Sequence, residues 1–510
     1  MRSRHDATPT LFIAIAACSL LLSSPQASRA ATSYVLSPID PDAGAICASL
    51  GGSWDGSSTC TLGSNFDLGP GDSLVIDPAA ELAISPGVTL TNNGTVTDYG
   101  AITNSAGGVL ANSGTITAFI ANGTIVNDGS MSNDPDGSIV IEHPGQTSVQ
   151  VGSFNFTNSG ALYNLGTIVN FGNLTNAAKA SITNSGTFSI ESATINIGKF
   201  SAPVTFNFGN FTNTVGGTIN EDGATINNTG FITNAGTIAE QDNVFSRINN
   251  AGTMTNSGTL TNYAYLVNVG GTIINSGTMS NVIGCAVVSC GTIANNGLVI
   301  NERGGNITNR GNLGNYNTNP RTPGLGTLSN NGTLTNFNYF VNTLGGTTIN
   351  SGAFDNPGTF SNMGTTTNSG SITSAGVILN FGYIANNSSG SITNSRTISN
   401  TGNIANLGQI TNACGGVIDP TGTISGNQVA SATSCTSTTA PAPEFPTAML
   451  VPVLLSALVL ASVAFGRGPR RKARLPAEAK RRLPHLKKEG EGPRRPAPSG
   501  PSSSGRTAPC

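Results

Sequence analysis

Between residues 31 and 466 the chain carries one histidine, His143, and seven Lys or Arg. A lyase needs clustered acids beside Lys or Arg, and an acyl transferase needs a catalytic histidine. His143, in Ile-Glu-His-Pro-Gly-Gln, has no acid near it in sequence except Glu142 and reads as a surface loop histidine. Asn133, Asp134 and Asp136, or Asp40 and Asp42, are oxygen donors of the type that holds Ca²⁺, but each set lacks the further ligands of a calcium loop and reads as a turn. No phosphate-binding glycine loop and no nucleophile elbow occurs. The expectation is a chain with no catalytic, cofactor-binding or metal-binding residues, and so no enzyme.

The cysteines fall into pairs. Cys47 and Cys60 flank Trp54 in the segment 31–80, Cys285 and Cys290 sit five apart, and Cys414 and Cys435 bracket the end of the patterned region. In an exported chain such pairs read as disulfides. Metal binding is the rival, and no histidine clusters near any of them.

Two ends of the chain imply export. Arg2 and Arg4 precede an apolar run from Leu11 to Leu22, followed by small residues up to Ala30. This predicts a signal peptide over 1–30. Ile15-Ala16-Ala17-Cys18 offers a lipoprotein alternative, against which the apolar run continues past the cysteine. Near the other end, Ala448 to Gly466 holds no charge, and RGPRRKAR follows it. A stretch of that length crosses a bilayer, and the basic flank stays in the cytoplasm. The formal charge of −2 hides this asymmetry: 13 of the 23 Lys and Arg lie in the last 44 residues. The expected location is the outer face of the cell membrane or envelope, single-pass, with a cytoplasmic C-terminal tail before any processing.

Pro443-Glu444-Phe445-Pro446, the apolar stretch 447–466 and the basic cluster form a tripartite arrangement. It resembles the PEF-type C-terminal sorting signal of archaeal surface proteins. The resemblance implies recognition by a membrane transpeptidase, an archaeosortase or exosortase, and processing at the signal. The basic tail over 467–510 is longer than that family's usual ending.

Between these ends an apolar-x-Asn unit recurs, most often every six or eight residues: Ile378-Leu-Asn380, Ile384-Ala-Asn386, Ile392-Thr-Asn394, Ile398-Ser-Asn400, Ile404-Ala-Asn406. Six residues match no helical face, but they suit a short strand and a turn. Three such units close a coil of about 18–22 residues, and coils stack at about 4.8 Å. The predicted fold is all-β: a parallel β-solenoid over 81–428 of roughly 16–19 coils, with Ile inward, Thr outward, and Asn amides stacked as ladders. The Asn-Ser-Gly that follows each strand reads as turn chemistry, with Gly supplying positive φ. A disordered low-complexity region is the alternative. The six-residue spacing is similar to the hexapeptide repeats of left-handed β-helices, but the abundant Asn and the eight-residue steps suit a right-handed or irregular coil equally. Residues 31–80 read as a disulfide-closed cap, and 429–446 as a Ser/Thr/Ala/Pro stalk.

Ten Asn-x-Ser/Thr sequons, at Asn93, Asn122, Asn155, Asn173, Asn210, Asn227, Asn306, Asn331, Asn386 and Asn387, are glycosylation candidates. The function expected is that of a non-catalytic cell-surface structural or adhesion protein. Its partners would be the membrane, surface glycans or other envelope proteins, and not nucleic acid. The alternative is a β-helical carbohydrate-active enzyme, which a cleft lined by paired carboxylates would favour.

Overall fold

One four-residue rule generates the architecture. In strand after strand, such as Thr89–Asn92 and Ser391–Asn394, the second and fourth residues are buried and the first and third face outward. This is the period of two that a strand imposes. The second residue is aliphatic or Phe and the fourth is usually Asn, so apolar and amide side chains enter the interior side by side. The computed structural model describes residues 30–119, 123–142, 155–191, 204–207, 209–240, 246–283, 291–315, 325–419 and 421–432.

The strands form a parallel β-solenoid with three faces. Face I begins with Thr59–Leu62, Glu81–Ile84 and Ala101–Asn104; face II with Phe66–Leu68, Thr89–Asn92 and Val109–Asn112; face III with Ser73–Ile76, Thr95–Asp98 and Thr115–Phe119. Each strand pairs in parallel with the strand three later, as Thr89–Asn92 does with Val109–Asn112. Face II holds 17 strands, one per coil, which gives a length of about 80 Å at the strand spacing. The minimal coil is 18 residues, seen between Asn158 and Asn176.

The ladders are continuous. On face I, amide hydrogen bonds run from Asn104 to Asn127, Asn158, Asn176 and Asn207, and through every following coil to Asn400. On face II they run from Asn92 to Asn406. Nδ2 to Oδ1 distances along both columns are 2.6–3.1 Å. Nδ2 also donates across the corner, from Asn92 to the Thr115 carbonyl and from Asn127 to the Ala161 carbonyl. Both hydrogens and the oxygen are thus used, which is what a fully buried amide requires.

Ile378, Ile384, Ile392, Ile398 and Ile404 are all buried, as their spacing predicts. Where the core needs large residues on two faces the third supplies small ones. Phe340, Phe354 and Phe360 pack with ring centroids 4.9–5.8 Å apart. The neighbouring core positions on face II are Thr348 and Thr366, both buried. The Thr366 hydroxyl donates to Asn362 Oδ1 at 3.0 Å, so its polarity is satisfied.

The expected role of the glycines is corrected. Asn closes the strand rather than forming the turn. The Gly two residues later does not adopt positive φ at Gly236, Gly258 or Gly277. These glycines stack instead: a Cβ on Gly258 would overlap the carbonyl oxygen of Gly236, and one on Gly277 that of Gly258. Positive φ belongs to the longer corners: Gly270, in a three-residue corner, has φ 78° with open space around it, and Lys179, in a four-residue corner, has φ 74°.

The first coil starts earlier than the periodicity indicates. Thr59–Leu62 already pairs in parallel with Glu81–Ile84, and Ser33–Leu36 with Ser73–Ile76. Ahead of it, the helix Ala43–Ser49 and the antiparallel strand Gly52–Trp54 lie at the N-terminal end. Cys47 and Cys60 form a disulfide with a Cα–Cα distance of 5.6 Å. Among the described residues no helix is long and apolar enough to cross a membrane. The signal peptide up to residue 29, the stretch 447–466 and the tail 467–510 lie outside the described residues, as do Pro443, Glu444, Phe445 and Pro446.

The two glycine classes separate by measurement. Gly258→Ala is expected to cost more than about 3 kcal/mol or prevent folding, because backbone must move on both coils. Gly270→Ala is expected to cost about 1 kcal/mol, the left-handed penalty alone. Urea unfolding of the two variants, followed by circular dichroism, checks the order; equal losses would refute the stacking role.

Candidate functional site

Face III departs from the amide rule, and the departures hold the titratable groups of the interior. Its ladder column is regular from Asn262 through Asn281, Asn309, Asn336 and Asn356. Below Asn262 the same position holds Glu240, Glu221, Ile190, Asn170, Ile141, Ala118 and Asp98. Three of the four long connections from face III to face I leave strands of this half, residues 143–154, 192–203 and 241–246; the fourth, 282–291, follows Asn281 in the regular half. A two-residue corner lets the fourth-position oxygen accept the N–H two residues on, as Asn170 does from Gly172 at 3.1 Å. Ahead of a longer connection that two-residue corner is absent, and three of the four such positions are not Asn, Asn281 being the exception. Aliphatic Ile141 and Ile190 occupy two of them.

Asp98 keeps the short corner and half of the amide's function. Its Oδ1 accepts the Gly100 N–H at 2.9 Å, while Oδ2 is buried with no hydrogen-bond partner. Burial pushes its pKa up to about 7, against the smaller pull of the Gly100 and Thr124 N–H groups.

Glu221 and Glu240 are register neighbours on successive face III strands, Thr218–Asp222 and Thr237–Glu240. Both are fully buried, and none of their four carboxyl oxygens completes a hydrogen bond. Burial pushes Glu221 up to about 8; Ser246 and the Ala224 and Arg247 N–H groups oppose this in smaller measure. Burial also raises Glu240 well above the usual Glu range, and the Glu221 charge adds to it. The molecule therefore holds a carboxyl pair, but in the core and not in a cleft. A glycosidic oxygen cannot reach either group while the coil is closed, so the pair does not support the carbohydrate-active reading.

The other candidate residues are dispersed. Asn133 is a rung of the face II ladder, between Asn112 and Asn164, so it is not available to a cation with Asp134 and Asp136. Asp40 accepts the Asp42 N–H ahead of the helix at 2.8 Å. Among the described residues no group of three His, Cys, Asp or Glu is placed to hold a metal. Cys414 is disulfide-bonded; Cys285, Cys290, Cys435 and His143 lie outside the described residues. Of the sequons, Asn155, Asn210 and Asn331 are exposed, while Asn93, Asn173, Asn227, Asn306 and Asn387 are half-buried. Asn386 is buried in the ladder, where its Nδ2 donates to Asn406, so it cannot present its amide to a glycosyltransferase. Asn122 lies outside the described residues.

The Asp98 geometry predicts a pH effect. The folded state keeps this proton to higher pH than the unfolded chain, so its contribution is fullest below the ordinary Asp range and is lost as pH rises toward about 7. Asp98→Asn restores both amide hydrogens and is expected to stabilise by about 1–3 kcal/mol at pH 8 and much less at pH 4. Thermal unfolding at both pH values checks this, and an equal effect at both would contradict it.

No family model matches the chain, and no curated protein matches it. Among solved structures, the crystal structure of a TibC-catalysed hyper-glycosylated TibA fragment is similar over 74% of this chain and 94% of that one, at 15% identity and a TM-score of 0.16.

Proposed function

We propose that the chain is a non-catalytic cell-surface protein, a membrane-anchored β-solenoid that acts as a structural or adhesive stalk of the envelope. The observation that carries this reading is how the interior is used. Face I is one unbroken amide column from Asn104 to Asn400, so the described chain builds one continuous rod. The outer face is repetitive and sparsely charged, with hydroxyl pairs such as Thr259 and Thr261, then Thr333 and Thr335. Weak contacts repeated along such a face gain strength by avidity, which suits surface glycans or other envelope proteins as partners.

The ends of the sequence support the location. The apolar stretch 447–466 is long enough to span, and Arg467, Arg470, Arg471, Lys472 and Arg474 resist translocation. Resemblance to the PEF-type signal extends the proposal to processing by an archaeosortase or exosortase near Phe445. The outward sequons extend it to glycosylation.

Two forms test the anchor: the full chain, and one ending at Pro441. After cell fractionation the full chain is expected in the membrane and the short form in the soluble fraction. Equal retention of both would remove the helix as anchor. Mass spectrometry of the mature protein tests processing separately: retention of Cys510 would end the sorting proposal and leave the anchor intact.

A further inference from the structure

Glu221 and Glu240 stand where the ladder position of face III calls for amides. Each Asn rung both donates and accepts. An ionised carboxylate only accepts, whereas a neutral carboxyl carries one O–H donor and keeps an acceptor oxygen. Two carboxylates one strand apart, about 4.8 Å, repel each other strongly in a buried setting. The two side chains are fully buried and their oxygens have no partners.

The surroundings do not neutralise them. Ile190 is the register neighbour below Glu221. Above, pairing between the strands Thr237–Glu240 and Thr259–Asn262 stops at Ala239, one residue short of Glu240. Asn262 turns its Oδ1 to the N–H of Ala264. The face I strand Thr225–Asn228 and the face II strands Phe231–Asn234 and Thr253–Asn256 contribute no titratable group, and neither does Thr259–Asn262. Asp222 follows Glu221 on its own strand and is acidic. On the face I strand Arg247–Asn250 the one cation is Arg247, whose Nε donates to Asn249 Oδ1 at 2.6 Å. Ser246, buried, accepts the Gly223 N–H at 2.8 Å, and its hydroxyl is the side-chain group that opposes the upward shift of Glu221. Asp242 lies outside the described residues.

We propose that Glu221 and Glu240 form a proton-sharing carboxyl pair that holds these two coils together while neutral and opens this corner of face III when ionised. The step is a proton lost to solvent, with no other bond made or broken. Its direction follows from burial. The folded state keeps these protons above the ordinary Glu range, Glu221 to about 8 and Glu240 also well above its usual value. Stability from the pair is therefore fullest in acid, falls as pH rises through that range, and leaves the pair charged above it. Besides Asp98, the rod so acquires a second local point that weakens as pH rises, between amide columns that do not titrate.

Native-state hydrogen exchange on the secreted chain at pH 6 and pH 9, corrected for intrinsic exchange, tests this. Amides of Thr218–Asp222, Thr237–Glu240 and Arg247–Asn250 are expected to lose about tenfold protection or more at pH 9, while Ser391–Asn394 on face III does not change. The double variant Glu221→Gln with Glu240→Gln keeps size and removes the titration, and its protection is expected to be equal at both pH values. If the double variant fails to fold, Glu240→Gln alone is expected to reduce the pH effect by removing the repulsion. Protection in the native chain that is flat with pH, or a loss that persists in the variant that folds, would overturn the proposal. So would calcium chloride restoring protection at pH 9, which would make the pair a cation site.

Discussion

The buried amide column is the constraint on which the rest depends. A primary amide inside an apolar core must use two hydrogens and an oxygen, or cost about 1–3 kcal/mol per group left unpaired. A single Asn cannot meet this inside a narrow coil. A column can, because each rung donates to the next and to a carbonyl across the corner, as Asn127 does to Asn158 and to Ala161. The requirement is geometric as well as chemical. Rungs must sit at the same height in each coil, which fixes strand length at four residues and register at zero offset. Asn104, the lowest rung of face I, shows the rule at its limit: its Oδ1 is buried with no rung beneath it to donate.

The same constraint explains the glycines. When the strand ends at the same point in every coil, the corners also superpose, and successive corner residues lie on top of one another. The residue after the corner then meets the carbonyl of its counterpart below, where Gly at Gly236, Gly258 and Gly277 avoids the overlap; Ala264, Asn338 and Arg396 hold the same position in three other coils. Asn and Gly recur together because one sets the register and the other tolerates its consequence. The eight-residue steps are the exception that fits: two more residues form a wider corner, and there Gly107 and Gly216 supply positive φ.

Much of this was legible in the sequence. The apolar-x-Asn spacing led to the solenoid, to the inward isoleucines and to the ladders, because a period of two places Ile398 and Asn400 on the same side of one strand. The reason for the glycines was not legible. Asn-Ser-Gly has the composition of an ordinary turn, and its stacking partner lies a whole coil away. The first coil was missed for a related reason: Thr59–Leu62 and Phe66–Leu68 end in Leu and carry no Asn to mark them. The carboxyl pair was also missed, although its signal is present. Thr-Ile-Asn-Glu221 and Thr-Ile-Ala-Glu240 are the repeat with Glu in the amide position. Glu at a strand end reads as a solvated residue unless the position is already known to face inward.

Face III therefore divides the rod along its length. From Asn262 upward its column is amide as far as Asn356, and Ser374 then substitutes for Asn while still accepting a hydrogen bond from Asn356. From Asp98 to Glu240 the column is mixed, and three of the four long connections to face I, 143–154, 192–203 and 241–246, leave strands of the same half. The two features do not match one to one: Glu221 precedes a short corner, and Asn281 keeps its amide ahead of the long connection 282–291. Faces I and II keep their columns through these same coils, so the interruption is local and the rod is not divided. A solenoid can thus carry variation on one edge only if the other edges hold the register. In this molecule two uninterrupted columns leave the third free to hold groups that titrate.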